Sequence, residues 1–181
     1  MRPHSRTHRA LPLALYAGFA LAGSAAALAG TQPHPFVLTA YGAGPGGRDL
    51  LAGRYPAALR RLRARGGAGP DPKAFSANSC VAFEMTQHLR AAQSACDAAV
   101  LAADRARLDA GPRSGSSRIS ANRALAAAYA DRAVLGWLRG DRHGARADLA
   151  RAQALAPQAE FVRRNIAALK SHPLRAQAHG S

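Results

Sequence analysis

The sequence predicts an all-α protein: a short array of antiparallel helix hairpins with a capping helix at its C-terminal end. Three observations lead there. About a quarter of the residues are alanine, the strongest helix former, and few are β-branched. Glycine and proline gather in clusters and leave helix-length runs between them. Those runs place apolar residues at helical spacing, and no stretch reads convincingly as a strand.

Composition narrows the classes further. The chain has 181 residues, with 48% apolar, two cysteines and one tryptophan. That suits one ordinary domain with extensions. The apolar share argues against disorder throughout, and two cysteines exclude a disulfide-rich mini-protein. Only one stretch is apolar for long enough to approach a membrane span, which excludes a polytopic membrane protein.

The elements follow in order. Residues 1–29 read as a secretory signal. Arg2, Arg6 and Arg9 precede a charge-free apolar run that ends in Ala27-Leu28-Ala29. Cleavage is expected after Ala29 or one residue later, which puts the mature protein in the periplasm or outside the cell. The alternative is a retained anchor, the chain's one expected route to a membrane. Residues 30–47 carry Pro33, Pro35, Pro45 and a glycine cluster, so they form an extended lead-in. A phosphate loop at residues 42–47 fails because Arg48-Asp49 stand where Lys and Ser/Thr are needed.

Residues 48–53 allow a turn or two of helix. Residues 55–65 form a short helix with Pro56 at a tolerated early position. Helices are expected over residues 73–87 and 89–108. A flexible loop follows at residues 111–117, then a long helix over residues 120–139, closed by Gly140. Asp141 caps the next helix, which Pro157 ends. The last helix, residues 158–171, buries Phe161, Val162, Ile166 and Leu169. Residues 172–181 read as a loose tail.

Period comes next. Ala58 and Ala92 are 34 residues apart, whereas Ala92 and Ala145 are 53 apart, so the loop at residues 111–117 and longer helices interrupt the period. Tyr129, Ala133, Gly140-Asp141, the trio Ala145, Leu149 and Ala152, and Pro157 form a helix-turn-helix pattern. This pattern resembles the tetratricopeptide repeat, with Arg132 where a leucine is usual and Gly136 where an aromatic is usual. A second copy carries Cys80 and Phe83 on its first helix and Ala92, Cys96 and Ala99 on its second. A third is partial, with Ala58 and Leu62 on a second helix whose first helix is truncated. The resemblance implies a right-handed array over residues 48–171: a partial repeat at 48–66, repeats at 73–108 and 118–157, and a cap at 158–171. A generic alanine-rich bundle is the alternative.

The resemblance also carries two sets of residues. It places Cys80 and Cys96 on facing helices of one hairpin, so an exported chain is expected to bridge them. Two reduced, packed thiols are the alternative. It further implies a partner-binding inner stripe of Val81, Glu84, Met85, Val134, Trp137 and Leu138. Trp137 is either the anchor of that stripe or core packed against a neighbouring helix.

Catalysis finds no support in the sequence. Glu84 and Glu160 are the only glutamates, and the histidines lack metal-ligand spacing. No enzyme activity, metal or cofactor is expected, and the predicted function is protein–protein adaptor. The rival prediction rests on a net charge of +15, almost all arginine and densest at Arg60, Arg61, Arg63 and Arg65. Those side chains would bind an anionic polymer or surface, lipopolysaccharide or nucleic acid. Nucleic acid is the less favoured of the two, because the aromatics that stack on single strands are scarce. Arginine and alanine abundance is also what a GC-rich genome yields without selection for binding.

Overall fold

In the computed structural model, residues 35–66, 71–110 and 115–172 are described. All belong to one unit, Gln32–Ser181. The expected signal segment, residues 1–29, and the expected tail beyond His172 lie outside the described residues. The architecture is all-helical: α1 (Gly47–Leu51), α2 (Tyr55–Arg65), α3 (Pro72–Met85), α4 (Leu89–Asp109), α5 (Gly115–Leu138), α6 (Arg142–Leu155) and α7 (Glu160–Ser171). Among the described residues there is no strand, and no helix is long and apolar enough to cross a membrane.

Local chemistry sets the helix ends. Asp71 accepts the Ala74 amide at 3.0 Å and Asp141 accepts the Gly144 amide at 2.8 Å, each satisfying a donor that the first turn leaves open. Pro72 stands in the first turn of α3, where its missing N–H costs nothing. Helix α5 starts at Gly115, earlier than expected, so residues 115–117 are helical rather than loop. Residues 115–120 are exposed, so the first turn of α5 is accessible to water.

Each helix packs against the next, and the odd-numbered helices α1, α3, α5 and α7 also pack side by side. Small residues mark the crossings. Ala58, Ala92, Cys96, Ala133, Ala145 and Ala152 are all buried. A disulfide joins Cys80 on α3 to Cys96 on α4, with Cα atoms 4.7 Å apart. Gly136 has a packing reason, because a Cβ there would press on Ala145 and the Asp141 carbonyl where α5 meets α6. Arg132 ties three helices. It forms two hydrogen bonds to Asp148 of α6, at 2.7 and 2.9 Å, and one to Asp97 of α4 at 2.9 Å. The paired Asp148 carboxylate holds the guanidinium well above its ordinary pKa.

Residues 36–41 are extended and do not lead away from the helices. They form a strap laid across α7, α5 and α3 in turn, after which residues 42–46 turn the chain into α1. That turn is tight enough that a Cβ on Gly47 would collide with the Tyr41 carbonyl.

Candidate peptide-binding groove

Three buried polar side chains, one from each of α3, α5 and α7, hold the strap. Asn165 accepts the Val37 amide at 2.7 Å and donates to the Val37 carbonyl at 2.9 Å. Asp131 accepts from the Thr39 amide at 2.9 Å and from its hydroxyl at 2.7 Å. Asn78 accepts the Tyr41 amide at 2.8 Å, and donates to the carbonyls of Tyr41 at 3.0 Å and Pro45 at 2.9 Å. Asn78 and Asn165 are 0% exposed and Asp131 is 1% exposed. A carboxamide carries both an NH2 donor group and a carbonyl acceptor, so it can pair with the N–H and C=O of a single residue as a neighbouring strand would. The grip falls on alternate residues, one helix for every two residues of strap.

The strap's side chains fill the walls. Phe36 packs with Val134, Ala168 and Trp137, its ring edge-on to the indole at a centroid distance of 5.0 Å. Leu38 bridges this cluster to the one holding Val81, Leu50 and Ala40. On the other side, Val37 packs with the α5–α6–α7 core, and Tyr41 joins the Ala77–Leu125 cluster.

Burial shapes the electrostatics. It pushes Asp131 up from an ordinary 3.8 to about 7, and the two Thr39 hydrogen bonds only partly offset it. Glu84 is 0% exposed, and one of its carboxylate oxygens has no hydrogen-bond partner. Burial, and then the nearby Asp131, push it well above the usual carboxylate range. Tyr41 is raised to about 12 by burial and by Asp131 and Asp71. Glu84 Oε1 lies 3.7 Å from Cys96 Sγ. A bridged sulfur has no proton to donate, so a protonated Glu84 would be the donor in that contact.

The structure gives the burial of the expected inner stripe. Val81, Glu84 and Val134 are buried, and Met85, Trp137 and Leu138 are half-buried. Val81 and Val134 share their clusters with the strap's own residues, and Glu84 sits beside the disulfide. Trp137 is shared between core and surface. It packs on Phe36 and also lines an open cavity of about 480 Å³ with Leu149, Ile166 and Leu169.

Sequence reasoning missed Asn78, Asp131 and Asn165. Their signal was available: Asn78 and Asp131 are 53 residues apart and Asp131 and Asn165 are 34 apart, the two intervals that separate Ala58, Ala92 and Ala145. The arginine cluster is partly engaged within the fold. Arg61 pairs with Asp49 at 2.6 Å, as Arg54 does at 2.7 Å, and Arg63 lies over the Phe83 ring. The Arg54 hydrogen bond leads the effects that lower the Asp49 pKa. Compared with protein-family models, curated proteins and solved structures, the chain matches none.

Proposed function

We propose that this chain is an exported, non-enzymatic adaptor: a tetratricopeptide-like array whose inner face binds extended segments of other proteins. The observation that carries the reading is the grip on alternate main-chain groups of the strap by Asn165, Asp131 and Asn78. A groove that reads main chain and offers apolar walls accepts an extended peptide of suitable pattern. The repeat reading is supported by the shared 34- and 53-residue intervals of the small residues and of the polar trio. It is also supported by the side-by-side packing of alternate helices. The disulfide is compatible with an oxidising compartment outside the cytoplasm.

The polyanion reading has one observation in its favour. Arg48, Arg54, Arg61 and Arg65 line an open cavity of about 1300 Å³ beside the glycine-rich turn. Two of the four, Arg54 and Arg61, are already paired with Asp49. A pull-down from periplasmic extract with the mature protein, at low and high salt, separates the readings. An adaptor keeps a protein partner at high salt. A polyanion binder loses its ligand there, because counterion release drives the binding.

A further inference from the structure

We propose that the strap, residues 36–41, is an internal stand-in for the partner peptide, and that a partner's extended segment binds by displacing it from the groove. The inference rests on the adaptor reading and names its ligand class: an unstructured protein segment with apolar side chains at alternate positions and a small hydroxyl residue between them.

Three features point to exchange rather than a permanent core element. The first is the grip itself. Asn165 and Asn78 touch only main-chain atoms of the strap, and Asp131 adds just the Thr39 hydroxyl. Any extended segment that carries the same donors and acceptors can make the same hydrogen bonds. The second is burial. Of the strap residues only Phe36 is fully buried, and residues 37–41 each remain partly exposed. An incoming chain can therefore take the positions one at a time. The third is tethering. With export and cleavage after Ala29, only residues 30–35 precede Phe36, so the strap is an N-terminal arm. Its other end joins the glycine-rich turn at residues 42–46, which Asn78 holds through the Pro45 carbonyl and which stays in place as the tether.

The chemistry of the strap defines the ligand. Position one takes an aromatic against Trp137 and Val134, as Phe36 does. Position three takes a large aliphatic between the Val134 and Val81 clusters, as Leu38 does. Position four carries a hydroxyl toward Asp131, as Thr39 does. Position five must be small, as Ala40 is, beside Leu50 and Val81. Proline is excluded at positions two, four and six, whose N–H groups are donated to Asn165, Asp131 and Asn78.

The test uses the full mature chain and a fluorescein-labelled peptide of residues 35–41, read by anisotropy. In the wild type the strap competes, so only the fraction of molecules with an open groove can bind. Phe36→Ala removes the strap's anchor, and Thr39→Pro removes its central donor. Each is expected to bind the peptide about tenfold or more tighter than the wild type does. A scrambled peptide of the same composition should bind neither variant at that level. Equal affinity of wild type and both folded variants for the peptide would overturn the proposal. So would loss of helical circular dichroism in both variants, because the strap would then be part of the fold. A wild-type dimer that dissociates when the peptide is added would assign the groove to a second copy's strap, and would overturn the choice of a different protein as partner. If the strap proves permanent while the pull-down still captures a partner at high salt, only this inference fails. If the peptide binds but no partner survives high salt, the adaptor reading fails.

Discussion

Asp131→Asn should remove a large pH dependence from the stability of this fold. The carboxylate is fully buried under the strap, and its pKa rises from an ordinary 3.8 to about 7. An unfolded chain releases this proton near pH 4, whereas the folded chain holds it up to about pH 7. Between those values the folded state binds more protons, so stability falls as pH rises and levels off above 7. From pH 5 to pH 8 the change due to Asp131 is on the order of 3 kcal/mol, two pKa units at about 1.4 kcal/mol each. Asparagine keeps an acceptor for the Thr39 amide, and its own NH2 can donate to the Thr39 hydroxyl, so the strap stays seated. Groups that Asp131 does not touch, including the low-pKa Asp49 with its opposite trend, are common to both proteins and largely cancel, whereas Glu84 loses the upward push that Asp131 gives it. Urea unfolding followed by circular dichroism, at several pH values, gives the difference directly. The variant should gain stability relative to wild type by about 3 kcal/mol between pH 5 and 8. Parallel profiles for the two proteins would refute the reasoning, because Asp131 would then titrate alike in both states.

Four further outcomes are expected. Replacing Cys80 and Cys96 by alanine removes a cross-link across a sequence separation of 16. Stability should fall by about 3 kcal/mol, read from the urea midpoint of wild type against the double variant. Arg132→Leu would leave the buried Asp148 without its main partner. A double-mutant cycle with Asp148→Asn should give a coupling of about 1–2 kcal/mol, moderated because Arg132 is partly exposed. Trp137→Ala should weaken partner binding by roughly 2 kcal/mol with the helical signal retained, whereas changing Arg60, Arg61 and Arg63 together should act modestly and mainly at low salt. N-terminal sequencing of periplasmic protein should begin at Gly30 or Thr31, and an intact Met1 on a soluble cytoplasmic species would contradict export.

The helices were legible because their signals are local. Pro56, Asp141, Gly140 and Pro157 mark ends that the chain obeys, and alanine spacing marks the crossing faces. The facing of Cys80 and Cys96 was what the tetratricopeptide resemblance implied, and a disulfide joins them. The groove was not legible, for a physical reason. The strap's main-chain partners lie up to 128 residues away in sequence, and helical periodicity carries no information about such contacts. Residues 30–47 looked like a lead-in because their glycines and prolines forbid helix. The same composition also permits an extended segment held by side chains. Asn78, Asp131 and Asn165 interrupt buried faces, where a polar group must find a partner. Arg132 and Gly136 depart from the repeat pattern for reasons that only packing reveals: one satisfies Asp148 and Asp97, and the other lets α5 and α6 approach.

The central claim is that α7, α5 and α3 grip an extended chain at every second residue. Amide hydrogen exchange of the wild-type protein, resolved residue by residue by NMR, tests it most directly. The amides of Val37, Thr39 and Tyr41 are donated to buried acceptors on α7, α5 and α3. They should therefore exchange slowly, while those of Leu38 and Ala40, between them, exchange fast. Uniformly fast exchange across residues 36–41, or protection that does not alternate, would contradict the claim.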